Sequence, residues 1–335
     1  MMSKNVRGKL ELRFEIKKFK EADIRRLSEI YLEWTINTPF KDDSRTIETV
    51  ETQFTQLAQN ENEFVILAYG NSDNLVGWTN FFVGFPEMIF TGRWHPIVLL
   101  GDDESDIALA LIKEYKRYGV EIGRIRLESQ FNRITESHQQ LFEKYSKWYE
   151  SQGFYRVTEE GFMELDVSEK HSLHVEIPVG FDLVPIEKKT NEEIKEVFFE
   201  TFLGGKDGLF LDLSYDQQVE SFNYWFDREK EFTDGASLLL LKDGEVAGFL
   251  ITRPHHSNAM IGPVGVNPKY QRKGLGKTLI ASAINSAREN GIEKIQLEMD
   301  TSNTPAYRLY KSFGFKTLHK AVFYAWIPEG GKSDE

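Results

Sequence analysis

The pattern of hydrophobic and polar positions predicts short strands that alternate with amphipathic helices. Alternating apolar residues over four to eight positions are typical of a half-buried strand, and spacings of three or four are typical of a helix. In the N-terminal half, strands are predicted at 10–19, 64–69, 75–85, 97–100, 125–128 and 162–167. Helices are predicted there at 22–34, 46–58, 107–118 and 138–151, and Asn71–Asn74 is predicted to form a turn.

The C-terminal half repeats nearly the same order of predicted elements. Strands are predicted at 181–186, 237–242, 246–252, 260–266, 295–299 and 323–327. Helices are predicted at 192–203, 215–232, 274–290 and 305–312. The repeat is also visible in the residues, since 148–154 matches 309–315 at Tyr, Gly and Phe. We therefore predict two tandem copies of one α/β unit, at 1–168 and 181–330, joined by a linker at 169–180.

The segment between Val264 and Leu279 combines a strand, a glycine-containing loop and a helix. Gly274 and Gly276 let the main chain approach a ligand, and the amides of a helix's first turn attract phosphate oxygens. The tail Gly276-Lys277-Thr278 fits a Walker A loop, but that motif requires glycine where Gln271 stands. The alternative pattern Q-x-x-G-x-G is complete from Gln271 to Gly276.

These residues resemble the phosphate loop of the GNAT acetyltransferase superfamily. About 30 residues later, 303–315 is similar to the second motif of that family, N-x-x-A-x-x-L-Y-x-x-x-G-F. The resemblance implies a mixed-sheet α/β (α+β) fold with two tandem GNAT-like acyl-CoA N-acyltransferase domains. It further implies acetyl-CoA as co-substrate and a direct attack by an amine, with no acyl-enzyme.

The resemblance also assigns roles to residues. Tyr310 matches the general acid that protonates the leaving thiolate. Asn303 would hydrogen-bond the pantetheine arm or cap its own helix. The strand residues expected to pair with the pantetheine arm are Val264, Gly265 and Val266. The residues expected at the pyrophosphate are Gln271, Arg272, Lys273, Gly274, Leu275, Gly276 and Lys277.

The two copies differ at the position of the phosphate loop. The first copy has Gly101–Asp106, which holds four carboxylates at a predicted helix start. Acidic residues cap a helix well there but repel a pyrophosphate. The first copy is therefore predicted to keep the fold without the cofactor site, and Tyr149 is predicted to be structural.

Composition narrows the chemistry. The chain has no cysteine, which excludes disulfides and a cysteine-bound acyl group. A formal net charge of −12 argues against nucleic acid and mildly favours cationic partners. No metal-binding spacing is present, since His171 and His174 form a lone pair in the linker. Without a signal peptide or a long apolar run, we expect a cytoplasmic protein that does not bind membranes.

The acceptor and the general base stay open at this stage. Candidates for the base are His255, His256, Glu298 and Asp300, or a water chain. One hypothesis is that aromatic and acidic residues at 198–226 form a cleft for a partly apolar, cationic small-molecule amine. The other is that those aromatic residues are core. Two alternative functions are a non-catalytic sensor of coenzyme A and a nucleotide hydrolase with Asp300 as magnesium ligand.

Overall fold

The structure, a computed structural model, describes residues 10–71, 73–92, 94–168, 172–233 and 235–329. The chain folds into two compact units. Unit 1 comprises Met1–Val157 and Val322–Glu335, and unit 2 comprises Thr158–Ala321. Ser72 of the predicted turn and His171 of the predicted linker lie outside the described residues.

Unit 1 contains the first run of helices and strands. Its helices are α1 (Ile24–Ile36), α2 (Ile47–Leu57), α3 (Glu104–Glu121) and α4 (Gln139–Ser151). Its strands are β1 (Arg13–Lys18), β2 (Glu63–Tyr69), β3 (Leu75–Phe82), β4 (Met88–Thr91), β5 (Ile97–Val98) and β6 (Arg126–Ile134). The sheet order is β1-β2-β3-β4-β6, and β5 pairs with β3. One hydrophobic core between sheet and helices includes Trp78, Phe131 and Tyr324.

Unit 2 repeats this arrangement. The strand β7 (Tyr155–Asp166) belongs to unit 2 from Thr158 onward, and β13 (Lys316–Trp326) belongs to it as far as Ala321. The other strands are β8 (Asp182–Pro185), β9 (Leu238–Lys242), β10 (Glu245–His255), β11 (Asn258–Val266) and β12 (Lys294–Asp300). The helices are α5 (Asn191–Leu203), α6 (Gly208–Asp212), α7 (Tyr215–Trp225), α8 (Leu275–Glu289) and α9 (Thr304–Phe313). The strand order is β7-β12-β11-β10-β9-β8.

Two hydrophobic clusters form the core of unit 2. One contains Leu275 and Leu279 of α8 together with Ile295 and Leu297 of β12. The other contains Phe198 of α5 and is rich in phenylalanine. Helices pack on the sheet through these clusters, because each buries one apolar stripe against it.

Tertiary interactions explain where the structure departs from the predicted elements. The helix predicted over 215–232 is wrong beyond Trp225, because the Arg253 guanidinium donates to the carbonyls of Trp225 at 2.7 Å and Asp227 at 2.9 Å. These side-chain donors replace the amides that a continuing helix would supply. The sequence does not predict the short strand β4 or the one-turn helix α6, because four or five residues carry little periodicity.

The chain positions at which the units separate differ from the predicted linker. The sequence places the boundary at 169–180, whereas Thr158–Asp166 of β7 already belongs to unit 2. The end of β13 from Val322 belongs to unit 1. Within the described ranges, no helix has the length and hydropathy needed to cross a membrane.

Candidate active site

The loop between β11 and α8 leaves a helix N-terminus without a cap. Gly274 precedes α8 at φ +87°, in the left-handed region that favours glycine, and a Cβ there would meet no atom within 4 Å. The first helical bond runs from the amide of Thr278 to the carbonyl of Gly274. No side chain caps this end, so the amides of Leu275, Gly276 and Lys277 are available to an anion.

Side-chain hydrogen bonds of Asn267 and Gln271 fix the shape of this loop. Asn267 is buried, and its side-chain oxygen accepts from the Lys269 amide at 3.0 Å. Its side-chain nitrogen donates to Glu200 of α5 at 2.7 Å. Gln271 donates to the carbonyl of Val266 at 3.1 Å, which folds the loop back on the strand. Predicted site residues Arg272, Lys273 and Lys277 are exposed and supply positive charge, while Leu275 is anchored in the core.

The strands β11 and β12 separate next to this loop. Their parallel pairing covers only Ala259–Ile261 against Ile295–Leu297. Beyond it, Val264, Gly265 and Val266 pair with β10 alone among the described strands. The other edge of this stretch is therefore open for an extended ligand that adds as a strand.

The second motif forms the helix α9, which contacts α8. Asn303 caps α9 by accepting from the Ala306 amide at 3.3 Å, so the capping role is observed and the pantetheine role stays a prediction. Tyr310 is buried in the cluster that also holds Leu275 and Met299. Burial raises the pKa of the Tyr310 hydroxyl to about 12, which keeps its proton in place at neutral pH.

Four carboxyl groups of unit 2 lie on the other face of the sheet. Asp300 accepts hydrogen bonds from Thr158 Oγ1 at 2.6 Å, the Gly208 amide at 2.8 Å and the Ser302 amide at 2.7 Å. Burial alone would raise the pKa of Asp300, but these hydrogen bonds outweigh it and lower the pKa. Asp300 is thus a fixed anion that ties the start of α6 to the end of β12.

The other three are Glu160, Asp207 and Glu298. Glu160 lies directly opposite Asp300 in the antiparallel pairing of β7 with β12, and Phe162 lies opposite Glu298. Because side chains alternate along a strand, Glu160, Glu298 and Asp300 share one face. Burial, together with the charges of Glu298, Asp207 and Asp300, raises the pKa of Glu160 to about 8.

Sequence reasoning misses Glu160, because the predicted strand begins only at residue 162. The adjacent acids Glu159 and Glu160 then resemble a solvated loop, and no motif includes them. Glu298 and Asp300, named as candidate bases, do lie in this group. The other candidates do not, since His255 and His256 are exposed at the turn between β10 and β11.

The aromatic residues of α5–α7 divide into core and surface. Phe198, Phe210 and Phe226 are buried in the core, as in the second of the two hypotheses above. Tyr215 and Tyr224 remain exposed. Fewer aromatic side chains therefore lie at the surface than the cleft hypothesis requires.

In unit 1, the corresponding position is the point where β4 and β6 stop pairing, and side chains of unit 1 itself occupy it. The strands β4 and β6 pair only as far as Thr91 against Ser129. Beyond this point, Trp94 is buried and donates from its indole to the Asn132 carbonyl of β6 at 2.7 Å. Tyr149 is buried and donates to the His95 carbonyl at 2.9 Å, which fits its predicted structural role.

Unit 2 thus combines a mixed sheet, two separating strands, a glycine loop and a helix N-terminus without a side-chain cap. Residues 194–315 match the acetyltransferase (GNAT) family. The fold is also that of two solved structures. A GCN5-related N-acetyltransferase from Sphaerobacter thermophilus aligns with a TM-score of 0.61 at 15% identity, over 94% of this chain and 95% of that one. A tandem GNAT protein from the clavulanic acid biosynthesis pathway aligns with a TM-score of 0.54 at 13% identity, over 97% and 100%.

Curated relatives match over shorter stretches. The mycothiol acetyltransferase of Nocardiopsis dassonvillei is 35% identical over 126 residues, which cover 35% of this chain and 36% of that protein. The [ribosomal protein bS18]-alanine N-acetyltransferase of Escherichia coli K12 is 37% identical over 76 residues, which cover 23% and 51%. The chain thus spans only about a third to a half of the length of these relatives.

Proposed function

We propose that the protein is an N-acetyltransferase that moves an acetyl group from acetyl-CoA to a primary amine of a small molecule. The observation that carries this proposal is the uncapped N-terminus of α8 beside the open edge of β11. One feature suits a diphosphate, and the other suits the amide-rich pantetheine arm. Their adjacency matches the shape of coenzyme A.

Each group in the site has a proposed role. The amides from Leu275 to Lys277 hold the diphosphate, and Arg272, Lys273 and Lys277 add positive charge. Main-chain groups of 264–266 bind the pantetheine arm, and a free amide of this strand stabilises charge on the thioester oxygen. The amine attacks the carbonyl carbon directly, the carbon–sulfur bond breaks, and Tyr310 donates a proton to the departing sulfur.

The acceptor is proposed to be a cationic amine. Asp300 is a fixed anion, and Glu160, Asp207 and Glu298 add further acidic groups on the same side of unit 2. Such a group attracts an ammonium ion and disfavours an anionic acceptor. The relatives are named for acceptors as different as mycothiol and a ribosomal protein alanine, so the family alone does not select the acceptor.

Two alternatives make different predictions. A nucleotide hydrolase would use Asp300 as magnesium ligand, but that carboxylate is already engaged by three hydrogen-bond donors. A non-catalytic sensor would bind coenzyme A through the same loop without turnover.

Thermal unfolding with added ligands tests the proposal. Acetyl-CoA at 100 times its dissociation constant should stabilise the protein by about 2.7 kcal/mol. ATP with magnesium should leave the midpoint nearly unchanged. Stabilisation by ATP with magnesium alone would contradict the proposal. Release of free thiol with a panel of amines, compared with alcohols of the same shape, separates an enzyme from a sensor.

A further inference from the structure

Glu160 differs from the other three carboxyl groups in the partners of its side chain. Asp300 accepts from three donors, and Asp207 caps α6 by accepting from the Phe210 amide at 3.0 Å. Glu298 has a partner of its own. In the described part of the chain, the carboxyl group of Glu160 makes no hydrogen bond and no ion pair. The carboxyl group of Glu160 is therefore available to a donor from solvent or from a ligand.

Glu160 lies at the strand end that borders the gap between the separated strands β11 and β12. Pairing of β12 with β11 ends at Leu297, so Glu298–Asp300 borders the open stretch of β11. Glu160 lies across from Asp300 at this level. The alternate residue Met299 points to the opposite face, into the cluster that contains Tyr310. Glu160 and Tyr310 therefore belong to opposite faces of the sheet at the strand end that borders the gap.

The surroundings of Glu160 are acidic on the elements packed against it. Glu298 and Asp300 of β12 and Asp207, which caps α6, all raise its pKa by their charge. On its own strand, Glu159 is paired with Lys320 of β13 at 2.6 Å. His319 of β13 stacks on Phe162, with ring centroids 4.7 Å apart. Lys320 is thus already engaged by Glu159.

We propose that Glu160 accepts the proton that the acceptor ammonium ion must lose before its nitrogen can attack the thioester. This inference rests on the proposed acetyl transfer and names its missing general base. Glu160 lies outside residues 194–315, so the base comes from a strand encoded before the family segment.

The proton and electron balance is complete with these groups. An ammonium acceptor binds among the carboxylates and transfers one proton to Glu160. The nitrogen lone pair then forms the carbon–nitrogen bond, and the carbon–sulfur electrons leave with sulfur, which takes the Tyr310 proton. The remaining extra proton on nitrogen returns to the tyrosinate through solvent, and Glu160 releases its proton to solvent. The products are the acetylated amine and free coenzyme A.

The pKa of Glu160 gives the direction of the pH dependence. Because burial and three neighbouring acids raise this pKa to about 8, the carboxyl group is mostly protonated at pH 7 and becomes a base as pH rises. A bound ammonium ion lowers the same pKa by its charge. The value of kcat/KM for the amine should therefore increase with pH through about 8, with acetyl-CoA saturating.

The experiment compares Glu160→Gln with Glu159→Gln in the full-length protein, with 2-phenylethylamine as the acceptor probe. Glu160→Gln should lower kcat/KM by at least about 100-fold and remove the rise near pH 8. Glu160→Asp should restore part of the rate. Glu159→Gln should keep both rate and pH profile. A Glu160→Gln enzyme with the wild-type rate and the same inflection would overturn the proposal.

Two further readouts keep the test decisive. Binding of acetyl-CoA, measured by calorimetry, should be equal in wild type and Glu160→Gln; its absence in wild type would refute the acetyl-transfer function separately. Carboxyl carbon-13 NMR should show Glu160 ionising near pH 8, and at a lower pH when 2-phenylethylammonium is added. If the wild type does not turn over this probe, the NMR titration decides. A Glu160 pKa in the ordinary glutamate range, or one that 2-phenylethylammonium leaves unchanged, would overturn the role of Glu160.

Discussion

At the scale of single residues, burial sets the protonation state of Tyr310. Its side chain is 7% exposed, and its ring packs against Phe315 with centroids 5.7 Å apart. Desolvation disfavours the tyrosinate and therefore raises the pKa. With a pKa of about 12, the hydroxyl keeps its proton at neutral pH, which is the protonation state that the proposed general-acid role requires.

Removing this hydroxyl should slow the chemical step. Tyr310→Phe is expected to lower kcat by about 100-fold or more while the dissociation constant of acetyl-CoA changes little, because the ring still packs in the core. Tyr307→Phe, on the same helix but 38% exposed, is the matched control and should keep full activity. Steady-state kinetics by thiol release measures both. Unchanged turnover in Tyr310→Phe would show that another group, or water, protonates the sulfur.

At the scale of secondary-structure elements, the loop before α8 depends on the backbone of Gly274. A Cβ would meet no atom there, but the left-handed conformation costs a non-glycine residue about 1 kcal/mol. The same holds for Gly244 in the turn between β9 and β10, at φ +86°. The two glycines therefore form a pair with equal conformational cost and different surroundings.

We expect Gly274→Ala and Gly244→Ala to lower the free energy of unfolding by similar amounts, about 1 kcal/mol each. Only Gly274→Ala should weaken acetyl-CoA binding, by about tenfold or more, because the added methyl group and any shift of the loop affect the amides of α8. Chemical denaturation and calorimetry measure the two effects. Equal affinity for acetyl-CoA in both variants would show that the diphosphate does not bind at this loop.

The same scale shows what the sequence can predict. Long periodic segments such as α3 and α8, and the loop motif between Gln271 and Gly276, are encoded locally, so hydrophobic spacing and glycine positions suffice. The end of α7 is set by Arg253, which is 28 residues away from Trp225 in the sequence. The proximity of Glu160 to Asp300 likewise depends on a pairing between distant strands. Such contacts leave no periodic signal, so sequence reasoning finds the candidate cofactor loop but misses Glu160.

At the scale of the whole molecule, the boundary between the two units does not coincide with the predicted linker. Unit 2 takes Thr158–Asp166 of β7, although the predicted linker begins at residue 169. Residues Glu160–Asp166 of this strand pair with the whole length of β12, from Lys294 opposite Asp166 to Asp300 opposite Glu160. It also places Met163, Leu165 and Val167 in the core with Tyr310.

A fragment cut at the predicted boundary should therefore fail to fold. The fragment 181–330 lacks the three buried side chains of 163–167, which contribute about 1.5 to 3 kcal/mol each. Their loss approaches the whole stability of a typical domain, about 5 to 15 kcal/mol, and exposes the edge of β12. The fragment 158–321 keeps the strand and should fold and bind acetyl-CoA. Circular dichroism and calorimetry on both fragments measure this difference, and a folded, acetyl-CoA-binding 181–330 fragment would establish the predicted boundary as the functional one.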